Sequence, residues 1–224
     1  SDANWKANVE FVPTVIEKKE GIELWIQEIR ACLNKMSIKN YENQKEAVFD
    51  LIAKCSEVEN NKEHMKTIAN NIFVIASTNK FYSSVYASLY KELMGKYEIY
   101  KDILTSFLGA FSASLEKIEY VTPDVDYEQY CKYNKANDMK KATVVFICNL
   151  TKLSVIPTLR VMNILSNLQK LTLNYIEQEN KTHEVDELTE LIALFLQECN
   201  EVFSECKAEW VWKFVISSNI KTMA

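Results

Sequence analysis

Ile29-Arg30-Ala31-Cys32-Leu33-Asn34-Lys35-Met36-Ser37 and Asn79-Lys80-Phe81-Tyr82-Ser83-Ser84-Val85-Tyr86-Ala87 decide the fold. Each string closes one helical pattern and opens the next. Ile29, Leu33 and Met36 fall at i, i+4 and i+7 on one helix face. Ser37 then offers an N-cap hydroxyl, and Ala47, Val48, Leu51 and Ile52 form the next apolar set. Met65, Ile68, Ala69, Ile72, Phe73, Ile75 and Ala76 form a third. Tyr82, Val85, Tyr86, Leu89, Tyr90 and Leu93 form a fourth. A helix with one apolar stripe must bury it against a neighbour, so consecutive hairpins are expected to stack.

Outward from this stretch the pattern continues. A helix is expected from about Tyr97 to Ile118, after the break at Gly95. Val121–Asp126 reads as a turn around Pro123. A longer pattern covers Tyr127 to Leu153, with a break expected near Asn137-Asp138 and a strongly apolar second half around Phe146. Pro157 starts a helix that ends near Glu179, and Thr182 caps another. A tenth helix carries Trp210, Val211, Phe214, Val215 and Ile220. Ten helices over residues 21–224 give about five antiparallel hairpins of roughly 40 residues, the HEAT period. The fold class expected is therefore all-α, an α-solenoid crescent, with a globular helical bundle as the rival. Residues 1–20 lack helical periodicity and read as an extended N-terminal arm. Trp5 within it either packs on the first repeat or serves as an exposed anchor for a partner.

Composition agrees with a helical scaffold. Three glycines and three prolines leave few of the turns that strands need. No apolar run approaches the roughly 18 residues of a membrane span, and no signal-peptide core is evident, so a cytoplasmic, non-membrane protein is expected. Six cysteines include no Cys-x-x-Cys pair and only two histidines accompany them, so no metal site is expected. Frequent Asn, Lys and Ile fit an AT-rich genome, such as that of a protist or a large DNA virus.

No catalytic constellation stands out, and no cofactor is expected. There is no glycine-rich phosphate loop and no His-Glu-x-x-His. His64 and His183 read as packing or surface residues, and Glu184, Asp186, Glu187 and Glu190 as a solvated face at a helix start. A net charge of −5 does not favour nucleic acid in bulk. One mixed segment, with Lys132, Lys135, Lys140 and Lys141 among Tyr127, Tyr130 and Tyr133, combines phosphate-neutralising and base-stacking groups. Asp126, Glu128 and Asp138 are interleaved, so the alternatives are RNA contact and an ordinary solvated face.

The two opening strings, the stretch Lys141-Ala142-Thr143-Val144-Val145-Phe146-Ile147-Cys148-Asn149-Leu150-Thr151-Lys152-Leu153 and the arm Asn4-Trp5-Lys6 together resemble the middle domain of the eukaryotic translation initiation factor 4G scaffold. The resemblance covers most of residues 4–205. It implies a crescent of five HEAT hairpins that is not an enzyme. It also implies a DEAD-box RNA helicase partner, factor 4A, whose two RecA-like domains the scaffold holds half-open. RNA, including mRNA, is an expected second partner. The cap-binding protein would join through a segment outside this sequence. On this resemblance the helicase-binding set is Trp5, Lys35, Met36, Ser37, Asn79, Lys80 and Phe81. Related helicase-binding domains in splicing and nonsense-mediated decay, a protein-only HEAT adaptor, and a helical enzyme with an unfamiliar site remain alternatives.

Overall fold

The computed structural model describes residues 21–57, 61–115, 118 and 120–205. Eight α-helices occur among them, with no strand. The first three are α1 (Ile22–Lys35), α2 (Tyr41–Ser56) and α3 (Asn61–Thr78). Next come α4 (Ser83–Lys96), α5 (Ile99–Ser114) and α6 (Tyr127–Lys152). The last two are α7 (Thr158–Ile176) and α8 (Thr182–Ser204). Their principal contacts join helices near in sequence. The first group links α1 to α2 and α3, α2 to α3, α3 to α4 and α5, and α4 to α5. Helix α6 then touches α3 and α4 on one side and α7 and α8 on the other, and α7 packs on α8.

The four opening patterns become α1 to α4 as expected. Ile29 and Leu33 are buried from α1, and Gly21 supplies its N-cap at φ 64°, a left-handed geometry that costs glycine little. Ser37 leads first into a short 3-10 turn, Ile38–Asn40, and α2 begins only at Tyr41.

The long α6 pattern differs from expectation in one respect. No break interrupts it at Asn137-Asp138, because neither residue removes a backbone donor and the Asp126 carboxylate caps the helix by accepting from the Gln129 N–H at 3.0 Å. Two of the ten expected helices therefore merge. The tenth, around Trp210, and the arm carrying Trp5 lie outside the described residues. The fifth helix is shorter than expected, ending at Ser114.

The core is continuous from α1 to α8. Its centre is aromatic. Phe73 lies 4.4 Å from Phe107 and 5.9 Å from Phe146, ring centre to ring centre, and Tyr90 lies 5.9 Å from Phe146 and 5.5 Å from Tyr100. The second half of α6 is buried almost all round, from Ala142 to Cys148. That is the signature of a helix with neighbours on every side. Polar ties fix its register: Asn149 Nδ2 donates to Ser83 Oγ at 3.0 Å, and Lys91 Nζ donates to the Leu153 carbonyl at 3.0 Å.

Candidate functional site

Two turns singled out by the sequence lie against α4. In the α1–α2 turn, Asn40 holds the backbone. Its Oδ1 accepts from the Ser37 N–H at 2.7 Å and from Ser37 Oγ at 2.9 Å, while its Nδ2 donates to the Lys35 carbonyl at 2.8 Å. In the α3–α4 turn, Asn79 Oδ1 accepts from the Tyr82 N–H at 3.2 Å. Buried Tyr86, in the first turn of α4, donates its hydroxyl to the Leu33 carbonyl at 2.9 Å and so ties α4 to the end of α1. Tyr41 Oη and Lys45 Nζ both reach Glu92, at 2.8 and 3.0 Å, and bind α2 to α4. Burial, followed by its bond to Glu92, pushes the Tyr41 phenol up.

This edge carries apolar groups that the fold leaves in water. Phe81 is 94% exposed and Ile38 84%. Tyr82 is also exposed. A recess of about 260 Å³ between the turns is lined by Ile38, Tyr41, Ser84, Val85 and Ser88. A groove of about 520 Å³ runs from Asn79, Lys80 and Phe81 to Asp138 and Lys141 on α6.

Of the expected helicase-binding set, Lys35, Lys80 and Phe81 are exposed, and Ser37 and Asn79 are half-buried. Met36 is corrected. It is 1% exposed and belongs to the core, because its position one turn after Leu33 continues the buried face of α1. Trp5 lies outside the described residues. Ile38 was not singled out by the sequence, and Tyr82 was read as the first residue of the fourth apolar stripe, yet both are exposed.

The lysine segment also needs correction. Lys140 Nζ reaches Glu187 at 2.9 Å, and Lys141 Nζ reaches Glu190 at 2.8 Å, both across to α8. Lys132 pairs with Glu128 at 2.7 Å on the surface of α6, and Lys135 is exposed. Three of the four expected phosphate ligands are therefore already paired with a carboxylate, two of them across to α8. The acidic run on α8 is a solvated face only in part: Asp186 and Glu190 are exposed, while Glu184 and Glu187 are buried. Glu187 accepts from Lys140 and, at 2.8 Å, from the Tyr133 hydroxyl. Burial and the bond to Glu187 raise the Tyr133 phenol above its ordinary value.

A cleft of about 440 Å³ lies over this junction, between α6 and α8. His183 stacks on Tyr120 in its wall, ring centres 3.7 Å apart, and Tyr133 meets Tyr120 edge-on at 5.4 Å. His64 packs edge-on against Trp25 at 6.5 Å. Among the described residues, no group of three or more His, Cys, Asp or Glu side chains is placed to hold a metal. Cys148 and Cys199 are buried side by side, and their mutual hydrogen bond, then burial, raises the Cys148 thiol far above the reactive range. No described helix is long and apolar enough to cross a membrane. Comparison of the chain with protein-family models, curated proteins and solved structures returned no match.

Proposed function

We propose that this chain is a HEAT-type scaffold similar to the middle domain of initiation factor 4G, and that its turn edge docks a DEAD-box RNA helicase of the factor 4A kind. The observation that carries this reading is the pair of neighbouring turns with Phe81 and Ile38 almost wholly in water. Exposed aromatic and branched side chains, rimmed by Lys35, Lys80 and Asn79, have the apolar centre and polar rim of a protein interface. The sequential pairing of helices along the chain supports the crescent. The resemblance at Ile29–Ser37 and Asn79–Ala87 supplies the identity of the partner. On this reading the protein is a cytoplasmic scaffold rather than an enzyme. It holds the helicase near its closed geometry and helps bring mRNA to the small ribosomal subunit. The cap-binding protein joins through another segment. RNA contact would rest on Lys135 and on Lys132, whose pair with Glu128 is fully at the surface, since Lys140 and Lys141 are engaged across to α8.

Calorimetric titration of factor 4A into the wild-type chain, an Ile38→Ser/Phe81→Ser variant and Trp5→Ala tests the proposal. Loss of two interface anchors should weaken binding by about 30-fold or more at an unchanged melting temperature. Affinity equal to wild type in the Ile38→Ser/Phe81→Ser variant removes the edge from consideration. Absence of any heat with the wild-type chain removes the helicase. Capture of a splicing or decay helicase instead would reassign the pathway but keep the edge.

A further inference from the structure

We propose that the groove between α3 and α5 is the seat of this chain's own N-terminal arm, filled by residues 9–16, and that it leads the arm towards the turn edge. The groove has a volume of about 620 Å³. Phe73, Val74, Ile103 and Phe107 line it, with Lys66 and Asp102 among its polar groups. Val74 is 55% exposed, and Ile103 and Phe107 are only half-buried. An apolar strip left in water in this way is a binding surface in search of a cover.

The occupant follows from where the chain enters the fold. Twenty residues precede Gly21, the N-cap of α1. Trp25 packs on His64, and Arg30 Nη2 donates to Asn71 Oδ1 at 2.6 Å, so α1 and α3 run side by side in the same direction. Short turns reverse the chain between α3 and α4 and again between α4 and α5, so α5 runs that way too. Gly21 therefore lies level with the start of the groove, near Lys66 and Ile99. Helix α1 covers the side of α3 that bears His64 and Asn71, and the groove lies on the side that bears Lys66, Asn70 and Phe73. A segment leaving Gly21 has one helix to cross, about 15 Å at the usual interaxial spacing. The five residues 17–21 span about 16 Å when extended.

The arm's sequence suits that route. Glu17, Lys18, Lys19 and Glu20 cross the outer face of α3, where Glu63 and Lys66 are exposed and offer both signs of charge. Val9, Phe11, Val12, Val15 and Ile16 then supply apolar side chains for the groove. Val74 and Ala110 mark its far end, towards the α3–α4 turn that carries Phe81. Gly21 stands about 21 Å from Lys35, at the opposite end of α1 from the turn edge. Beyond Val12 the arm has about 23 Å of reach to Trp5, enough to bring that residue back to the edge. This last consequence rests on the reading of the edge as the docking site; the seat itself does not.

The test uses the full chain. Phe11→Ser/Ile16→Ser removes two anchors from the arm, and Val74→Asp/Ser106→Asp puts charge into the groove at two exposed positions. Trypsin should cut each variant after Lys18 or Lys19 about tenfold faster than wild type, at an unchanged melting temperature, since cleavage follows the population of the freed arm. In isotope-labelled protein, Phe11→Ser/Ile16→Ser should move the backbone amides of residues 66–74 and 99–110. Equal cleavage of all three proteins overturns the proposal, as do amide shifts confined to α1. Protection that fades on dilution, with a doubled mass in light scattering, places the arm on a second copy and overturns it too. Factor 4A should bind the groove variant more weakly than wild type, because Trp5 is no longer held at the edge. Equal affinity for the two overturns the delivery of Trp5. If factor 4A binds neither, the reading of the edge fails, and the cleavage rates still decide the seat.

Discussion

Tyr100→Phe should make this protein more stable. Tyr100 is fully buried, and its hydroxyl has no hydrogen-bond partner. The hydroxyl of Tyr90, beside it, donates to the Tyr100 backbone carbonyl at 2.8 Å and is satisfied. Burying an unmet hydroxyl costs about 1–3 kcal/mol. Phenylalanine keeps the ring contacts with Tyr90 and Tyr97 and removes only that oxygen. The gain is offset by the small void left behind, so a net stabilisation of about 1 kcal/mol is expected. For a chain of this size that raises the melting temperature by about 2–4 °C. Tyr90→Phe should act in the opposite direction, losing about 1 kcal/mol with its hydrogen bond. Alkaline titration adds a second readout. Burial raises both phenols above their ordinary value of 10.0. Above about pH 10 the unfolded chain gives up these protons while the folded chain keeps them, so stability falls with rising pH by about 1.4 kcal/mol per unit for each tyrosine. Either substitution should remove one such increment from the slope. Urea melts at pH 7 and pH 11 measure both effects. A Tyr100→Phe variant destabilised by about 1 kcal/mol or more at pH 7 would refute the reasoning, because its hydroxyl would then have a partner.

Phe146→Ala should cost about 3–5 kcal/mol, because Phe146 is fully buried between Phe73 and Tyr90. A urea midpoint near wild type at unchanged slope would count against it. Lys140 and Glu187 are side chains 16% and 4% exposed. Lys140→Met should therefore destabilise the fold by about 2–3 kcal/mol, somewhat below the cost of breaking a wholly buried pair. Lys141→Met, at the rim, should change stability by about 0.5 kcal/mol or less, as thermal melts can check. If the chain binds single-stranded RNA, Lys132→Ala/Lys135→Ala should reduce the salt slope of the affinity by about one to two units. Lys140→Met/Lys141→Met should leave that slope alone; a comparable drop there would mean that the ion pairs open on binding.

The helices were legible because their apolar residues recur with helical spacing, and Ile29, Leu33, Tyr86 and Leu89 all fall on buried faces. Phe146 was legible for a different reason: its helix is apolar on every side over residues 142–148. Asn137 and Asp138 misled, since polar residues resemble a break but do not end a helix that retains its backbone donors. Met36 misled in the other direction. The resemblance assigned it to the helicase-binding set, while its phase with Ile29 and Leu33 pointed inward, and it is buried. The candidate site was harder to read. Lys140 and Lys141 meet Glu187 and Glu190 only through the packing of α6 on α8, nearly fifty residues apart. Local composition therefore showed the cations and not the anions that cancel them.

The neighbour-to-neighbour order of the helices bears on how the chain is made. Most helices find their packing partners soon after they are synthesised, so α1, α2 and α3 can begin to condense early. Helices α3 and α4 are the exceptions: Phe73 and Tyr90 meet rings of α4 and α5 early, but the side of each that packs on Phe146 is covered only when α6 arrives. At a synthesis rate of roughly 5–20 residues per second, the stretch from Thr78 to Lys152 takes about 4–15 s. For that interval the growing polypeptide presents an aromatic surface that α4 and α5 cover only in part. That window, rather than the finished structure, is where a chaperone would be most useful to it and where a slow ribosome would do most harm.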